Sequence, residues 1–339
     1  MKRALVLGGG GLIGMGYHAG ALKALDEFGL DVASSDLLIG TSAGSIIASY
    51  MAAGWKTADF YEYAHGRHRD APGELEETKD EVRRIFTPMA QTRAERVRRG
   101  VGSFFAIAAS RGYWPGGKLG RIPTPWLRKT FPSGIYSTDE TRERLWNDLP
   151  EQWPDRELYI CAASLYRKQR VAFGAPGAPD APLPDAVLAS TAIPGVFPPV
   201  RINGEQYVDG GVVSATSLDL AVEAGCEAIL CIAPLGYRVE GPLPTCDPKM
   251  WSPIFVRSLF ARVLRREVNA ARAKGVDVLV VRPWLSDLSE HGTNSMRYFD
   301  RQALTDSARE GTLRFLESLD DHAVVDAFTD TKTTREQAS

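Results

Sequence analysis

RALVLGGGGLIG, residues 3–14, and LLIGTSAG, residues 37–44, set the architecture of this chain, because each joins a short apolar run to a glycine-rich turn. After the first turn the apolar residues recur at helical spacing from Gly14 until Gly29, a typical helix-ending residue. After the second turn a helix is expected from Ile46 to Ala53. The order strand, turn, helix, strand, turn, helix predicts an α/β fold in which helices cover a mostly parallel sheet.

Apolar runs farther along the chain extend this predicted sheet. Strands are expected at residues 158–165, 170–173, 206–208, 228–233 and 276–282, and helices at about 253–273 and 300–318. Because all the strands fit one sheet, the sequence predicts a single domain over residues 1–320. The charged stretch 56–150 lacks strand patterns and is interpreted as a helical insertion over the sheet. The polar residues 321–339 are expected to form a disordered tail.

Composition argues against several classes of protein. The 339 residues carry a formal net charge of −2, so the global charge does not favour nucleic acid as a partner. No apolar run reaches the roughly 18 residues that a membrane-spanning helix needs. The apolar run at residues 4–7 is too short for a secretory signal peptide, so a cytoplasmic protein is expected.

The four cysteines show no pattern that points to a metal. Cys161, Cys226, Cys231 and Cys246 have spacings that match no known metal-ligand motif. Cys161 and Cys231 lie in apolar strand-like runs, where cysteines are ordinarily buried, reduced thiols. The sequence therefore implies neither a metal nor an organic cofactor.

The second glycine turn contains a candidate nucleophile. Gly40-Thr41-Ser42-Ala43-Gly44 is a G-x-S-x-G motif between a predicted strand and a predicted helix. A sharp strand-to-helix turn exposes the serine hydroxyl above the sheet edge, and small neighbours let the backbone make that turn. The alternative is a serine that only caps the following helix. The strand before the motif and the helix after it are the context that the nucleophile interpretation requires.

The first glycine turn allows two interpretations. Consecutive glycines from Gly8 to Gly11 can line up backbone amides toward an oxyanion or a phosphate. Residues 9–14 also fit the dinucleotide-binding pattern G-x-G-x-x-G. That pattern expects an acidic residue where the second strand ends, to bind the ribose. Asp36 instead precedes the second strand, so the dinucleotide interpretation lacks its ribose ligand.

Two later stretches complete the set of candidate motifs. Asp209 follows a predicted strand and precedes two glycines, a pattern that is by itself a common turn. Residues 189–200, ASTAIPGVFPPV, are nearly uncharged and contain three prolines, which is typical of a rigid connection that shapes a pocket.

Taken in order, these four features resemble the patatin-like phospholipase family. The glycine loop, G-T-S-A-G about thirty residues later, A-S-x-A-x-P-x-x-F-P-P-V and D-G-G match its motifs from residue 3 to about 235. The resemblance implies a three-layer α/β/α sandwich and cleavage of acyl esters of phospholipids or other lipids by a serine–aspartate dyad.

The resemblance also assigns roles to residues of this chain. It implies that Ser42 is the nucleophile and Asp209 the general base, and that the amides around Gly9, Gly10 and Gly11 form the oxyanion hole. Burial of the aspartate in apolar surroundings is expected to raise its pKa and make it a better base. The chain departs from the family at one position of the glycine loop, where Ile13 replaces a basic residue.

One other catalytic mechanism and two other functions remain open from the sequence. A serine–aspartate–histidine triad would need a histidine such as His291, which lies in a polar loop without a recognisable motif. A catalytically idle lipid-binding module of the same fold would be marked most simply by loss of Ser42 or Asp209, and both are present. A dinucleotide-dependent oxidoreductase depends on the incomplete G-x-G-x-x-G pattern.

The predicted insertion contains a candidate surface for lipid. Four arginines precede an apolar, aromatic stretch, a pattern that suits an anionic membrane surface or a lid over an acyl groove. The residues are Arg93, Arg96, Arg98, Arg99, Phe104, Phe105, Ile107, Trp114 and Trp126. The alternative is a solvated arginine face followed by an ordinary core helix. The expected partners are therefore a lipid or acyl-ester substrate and, through this segment, a membrane surface.

Overall fold

The computed structural model describes residues 1–70, 83–90, 92–110, 133–167, 169–239, 248–285 and 300–329, without the side chains of 103–110 and 248–256. These residues form two compact units. The first comprises the described parts of residues 1–73, 156–158 and 214–339, and the second those of 74–155 and 159–213. The fold is mixed α/β, which confirms the class predicted from the sequence.

Strands and helices alternate along much of the chain. The strands are β1 (Arg3–Leu7), β2 (Leu37–Thr41), β3 (Glu157–Ser164), β4 (Gln169–Phe173), β5 (Val200–Ile202), β6 (Glu205–Asp209), β7 (Ala228–Ile232) and β8 (Asp277–Val281). The helices are α1 (Gly11–Glu27), α2 (Ala43–Ala52), α3 (Thr57–Ala64), α4 (Arg93–Ser110), α5 (Asp139–Asp148), α6 (Leu183–Ser190), α7 (Asp219–Glu223), α8 (Pro248–Ala273), α9 (Arg301–Glu317) and α10 (Ala323–Phe328). No described helix is both long and apolar enough to cross a lipid bilayer.

The first unit contains the parallel strands. β1 pairs with β2 on one side and with β7 on the other, and β7 pairs with β8, all in parallel. β2 and β7 are buried along their whole length, as continuous apolar runs in a parallel sheet predict. The carboxyl ends of β1 and β2 lie at the same edge of the sheet, so the glycine loop and the Ser42 turn emerge side by side.

Helix α1 packs closely against α9 within the first unit. A β-carbon at Gly20 would overlap the backbone carbonyl of Thr305, so only glycine allows the two helices to approach this far. Leu22 and Leu25 on α1 are fully buried. This packing fixes the helix that begins directly after the glycine loop.

The strands of the second unit are antiparallel. β3 pairs with β4 and with β6, and β6 pairs with β5. Helix α6 packs against β5 and β6. An ion pair of 2.9 Å between Arg142 on α5 and Asp185 on α6 joins the two helices. Asp209 is the last residue of β6, opposite Ala162 on β3.

Several element boundaries differ from the sequence predictions. Helix α1 begins at Gly11, and α2 at Ala43, each three residues earlier than predicted. Helix α6 and strand β5 were not predicted. The described part of residues 56–150 contains α3, α4 and α5 and no strand, in line with the helical character predicted for it.

The segment predicted as a polar tail contains a helix. Helix α10 lies inside residues 321–339, and both Val324 and Phe328 on it are fully buried. The amide of Asp31 donates to the Phe328 carbonyl at 2.7 Å, and the Arg3 guanidinium lies over the Phe328 ring. Residues 323–328 are therefore part of the first unit, whereas residues 330–339 lie outside the described residues.

Candidate active site

Ser42 lies at the junction of β2 and α2 in a backbone conformation that side chains rarely adopt. Its φ is 53° and its ψ is −122°, a combination that costs on the order of 1–3 kcal/mol for a residue other than glycine. It occupies the N-cap position of α2, yet its side chain makes no capping hydrogen bond. The side chain is 6% exposed. The structure therefore does not support the alternative in which Ser42 serves to cap the helix.

Both glycines of the G-x-S-x-G motif are required by close backbone contacts. A β-carbon at Gly44 would overlap the carbonyl of Leu7, and one at Gly40 would lie 2.5 Å from the Cα of Ser45. The Ser45 hydroxyl donates to the Ser42 carbonyl at 2.6 Å, and the Ser45 amide donates to it at 2.8 Å. The neighbours of Ser42 thus hold the turn through its backbone.

The glycine loop lies directly beside Ser42 within the first unit. A β-carbon at Gly9 would be 3.3 Å from the Cβ of Ser42, a tight contact, so the loop backbone lies close to the serine. Gly10 is the N-cap residue of α1 and Gly11 its first residue, and the first amides of a helix have no carbonyl partner within it. These amides are suited to stabilise negative charge near the serine.

Gly9 differs from the other two glycines assigned to the oxyanion hole. Its amide donates to the carbonyl of Ala215 at 2.7 Å. A donor already engaged in this way is not available to a reacting oxygen.

His18 lies beneath the same loop. It is fully buried on α1, and its Nε2 is 2.7 Å from the carbonyl oxygen of Gly8. Burial lowers the pKa of His18 to about 4, and the hydrogen bond to Gly8 opposes this shift only in part. His18 shares one helical face with Leu22 and Leu25, so the helical spacing of the sequence already places it among buried residues.

Asp209 is held by hydrogen bonds within the second unit. It is 5% exposed, and its Oδ1 accepts a hydrogen bond of 2.7 Å from the Gly211 amide. A β-carbon at Gly210 would overlap the carbonyl of Cys161, so the first glycine after Asp209 is sterically required. The backbone of Asp209 is ordinary, with φ −47° and ψ 129°.

The uncharged stretch 189–200 supports the aspartate. The Asp209 amide donates to the Ala192 carbonyl at 3.0 Å, and the Ser190 hydroxyl donates to the Cys161 carbonyl at 2.6 Å. Phe197 stacks on Phe86 with ring centroids 6.0 Å apart. These hydrogen bonds connect the stretch to β3 and β6.

The histidines that the structure describes have structural partners. His65 Nε2 lies 3.1 Å from the Asp306 carboxylate, and the ring nitrogens of His68 and His322 accept backbone amides of Asp70 and Val324. His18 is bound to the glycine loop. His291, named for a catalytic triad, lies outside the described residues.

The arginine segment is only partly described. Arg93, Arg96 and Arg98 on α4 are exposed, whereas Arg99 is mostly buried and its guanidinium lies 3.4 Å from the Glu95 carboxylate. The side chains of Phe104, Phe105 and Ile107, and all of Trp114 and Trp126, lie outside the described residues.

The described part of the chain also shows where the cysteines and Asp36 lie. No group of three or more His, Cys, Asp or Glu side chains is placed there to hold a metal ion. Asp36 lies at the amino end of β2, and its carboxylate accepts the Arg3 amide at 2.7 Å. Cys161, Cys226 and Cys231 are buried free thiols, and burial raises the pKa of Cys226 to about 11. Cys246 lies outside the described residues.

Comparison with known proteins connects this geometry to a family. The model of the patatin-like phospholipase family matches residues 5–222. Uncharacterized NTE family proteins of Mycobacterium bovis and Mycobacterium tuberculosis are 26% identical over 278 residues, which cover 80% of this chain. The chain spans 59% of the length of these curated relatives. VipD from Legionella pneumophila is similar in structure, with a TM-score of 0.41, 15% identity and coverage of 94% of this chain and 67% of its own.

Proposed function

The chain belongs to the patatin-like phospholipase family, and on this premise we propose that it is a serine hydrolase that cleaves carboxylic esters of lipids. The observation that carries the proposal is the backbone conformation of Ser42 together with its uncapped side chain. Its strained backbone is held by Gly40 and Gly44, and its side chain does not cap α2. Strain of this kind persists only where the surrounding structure enforces it, and it is typical of catalytic turns.

In the proposed mechanism the Ser42 hydroxyl attacks the acyl carbon of a lipid ester. Asp209 accepts the hydroxyl proton, and the carbonyl oxygen of the ester becomes an oxyanion. The amides of Gly10 and Gly11 stabilise that negative charge, supported by the N-terminus of α1. Collapse of the tetrahedral intermediate expels the alcohol, which takes the proton from Asp209, and leaves an acyl group on Ser42.

The second half of the proposed reaction releases the acyl group. Asp209, ionised again, takes a proton from a water molecule, and the resulting hydroxide attacks the acyl carbon. As the tetrahedral intermediate collapses, Asp209 gives that proton to the Ser42 oxygen, which frees the fatty acid and regenerates both the serine hydroxyl and the carboxylate. The motif match and the firm hold of the Asp209 carboxylate by the Gly211 amide support its part in both steps. The mechanism needs no metal and no organic cofactor.

Hydrolysis of p-nitrophenyl esters of increasing chain length tests the proposal. We expect turnover by the wild type, loss of about 10³-fold or more in kcat for Ser42→Ala, and a smaller but large loss for Asp209→Asn. Intact-mass analysis after fluorophosphonate treatment should show one label that maps to Ser42. The chain-length optimum then describes the acyl pocket.

Each alternative function predicts a different result in the same experiment. Near-normal activity of Asp209→Asn would favour a histidine as the base. Absence of both turnover and label in the folded wild type would reject the hydrolase and leave the idle lipid-binding module. Retention of a dinucleotide without phosphonate labelling would favour the oxidoreductase.

We also propose that the protein contacts anionic membranes through α4. Arg93, Arg96 and Arg98 are exposed there, and each basic residue near an anionic surface contributes about 1 kcal/mol to binding. Sedimentation with vesicles that contain anionic lipid, at low and high salt, tests this surface. We expect salt-sensitive binding by the wild type and weaker binding by the triple alanine variant. Equal binding by both would end the proposal.

A further inference from the structure

The first peptide of the glycine loop is held from both of its sides. The carbonyl oxygen of Gly8 lies 2.7 Å from Nε2 of His18, and the amide of Gly9, which belongs to the same peptide unit, donates to Ala215 at 2.7 Å. The amide of Gly8 in turn donates to the Ile232 carbonyl at 2.9 Å. Glycine has the widest choice of backbone conformations, so these contacts decide which of them the loop adopts.

The protonation of His18 follows from its burial and its acceptor. The side chain is fully buried, and loss of hydration lowers its pKa to about 4, so the ring is neutral at pH 7. A neutral imidazole carries one N–H, and a carbonyl oxygen can only accept. Nε2 therefore carries the proton and donates to Gly8, which leaves Nδ1 unprotonated. Nδ1 is buried without a hydrogen-bond partner among the described residues.

An apolar side chain would avoid the cost of this buried nitrogen. An unsatisfied buried polar atom costs about 1–3 kcal/mol, so packing alone favours leucine or phenylalanine at this position. Histidine instead supplies a rigid donor at the distance of the Gly8 carbonyl. The next two amides after the held peptide are those of Gly10 and Gly11, so the held peptide fixes the point from which their backbone continues.

We propose that His18 is a positioning residue for the reaction, one that holds the Gly8–Gly9 peptide so that the Gly10 and Gly11 amides face the developing oxyanion. This inference rests on the proposed function for its catalytic consequence. Its structural part, a neutral ring protonated at Nε2 and bound to Gly8, does not depend on that function. His18 touches neither substrate nor the Ser42 proton in this role, so it acts on the transition state through the loop.

Two substitutions at His18 distinguish the effect of its hydrogen-bond donor from the effect of its side-chain volume. In His18→Gln the side-chain amide nitrogen can reach the same carbonyl, whereas His18→Leu fills the space without a donor. We expect His18→Leu to lose about 10- to 100-fold in kcat with KM changed less than about twofold, because displacement of a catalytic group by about 1 Å can cost 100-fold. His18→Gln should recover most of that loss.

A control separates positioning from general loss of stability. Leu25 is fully buried on the same helix and two turns beyond His18, away from the loop. Leu25→Ala should lower the free energy of unfolding by about 2–5 kcal/mol and leave kcat nearly unchanged at a temperature where the variant is folded. Equal kcat for His18→Leu and the wild type, or equal losses for His18→Leu and His18→Gln, would overturn the positioning role.

Nitrogen-15 NMR of the histidine rings tests the structural part without any activity measurement. We expect His18 to show an Nε2–H tautomer that persists from pH 8 to pH 5. An Nδ1–H tautomer, or titration near pH 6.5, would overturn the assignment. If the NMR result holds while the wild type shows no esterase activity and no phosphonate label, the proposed function fails and the catalytic role of His18 fails with it. If Ser42 is active and labelled, the kcat data decide the role of His18 alone.

Discussion

The turns that carry Ser42 and Asp209 are built differently although both follow a strand and both use glycine. At Ser42 the backbone is strained, with φ at 53°, and the side chain makes no capping bond. At Asp209 the backbone is relaxed, and the carboxylate is itself part of the turn through the Gly211 amide. Backbone contacts build the first turn, and a side chain helps to build the second.

The two candidate catalytic side chains are thus held in place by different kinds of contact. Steric contacts around Gly40 and Gly44 hold the serine, so its turn forms without a capping bond from the hydroxyl but carries backbone strain. Hydrogen bonds hold the aspartate, so its side chain contributes to stability and, as proposed, to catalysis. Removal of the side chain should therefore raise stability at the serine turn and lower it at the aspartate turn, while activity is lost at both.

Gly44→Ala should damage the serine turn most severely. The added methyl group would overlap the carbonyl of Leu7 on β1, and the backbone around it is buried on all sides. We expect a loss of more than about 4 kcal/mol in the free energy of unfolding, measured by urea titration, or no folded protein. Gly100→Ala on α4 is the control, because beyond its own helix no described atom lies within 4 Å of that methyl group. It should be neutral or gain up to about 1 kcal/mol; similar losses in both variants would refute steric control of the turn.

Stability should fall in mild acid because of His18, which lies beside the glycine loop in the same unit as the Ser42 turn. Its folded pKa of about 4 is below the unfolded value near 6.5, so the unfolded chain binds a proton more readily between these values. The full stability is present above about pH 6.5 and is lost progressively as the pH falls toward 4, by on the order of 3 kcal/mol. Urea titrations from pH 7.5 to 4.5 measure this loss. The slope should be shallower in His18→Gln; identical slopes would contradict a depressed pKa.

Asp209→Ala should lose both activity and stability, whereas Asp209→Asn should lose mainly activity. The asparagine oxygen can still accept the Gly211 amide, but alanine leaves that partly buried donor without its partner. We expect Asp209→Ala to be less stable than Asp209→Asn by about 1–2 kcal/mol in thermal or urea unfolding. Equal stability of the two variants would mean that the carboxylate does not hold its turn.

Ser42→Gly should gain stability while it abolishes activity. Glycine adopts a φ of 53° without strain, so we expect a gain on the order of 1 kcal/mol in the free energy of unfolding. Ser217→Gly is a matched control, since Ser217 also has a φ of 53° and lies outside the proposed machinery. That variant should gain stability and keep its activity. A loss of stability in Ser42→Gly would show that the serine side chain supports its own turn.

The parallel strands and the two glycine turns could be predicted from the sequence because their causes are local. Buried parallel strands produce continuous apolar runs, and tight turns between close backbones require glycine. Helix starts were harder, because Gly11 and Ala43 follow glycine-rich segments that carry no helical periodicity. Helix α6 was missed for a similar reason: Pro184 suggests a loop, but proline fits the first turn of a helix, where its missing amide is not needed.

The finer features of the site depend on contacts between distant residues. That the Gly9 amide is already bonded to Ala215 follows from a segment about 200 residues later, which no local pattern reveals. The burial of Phe328 depends likewise on residues near the other end of the chain, Arg3 and Asp31, whereas the sequence that follows Phe328 is polar. The motifs located the two glycine turns, whereas tertiary packing decided that the Gly9 amide is bonded to Ala215.

Helix α10 has a practical consequence for anyone who shortens this chain. A truncation after residue 320 matches the predicted tail, but it would remove the Phe328 ring that lies under Arg3 and the carbonyl that accepts the Asp31 amide. The exposed apolar surface would favour aggregation during expression. A truncation after residue 329 keeps α10. A purification tag or a fused partner is therefore better attached beyond residue 329 than in place of α10.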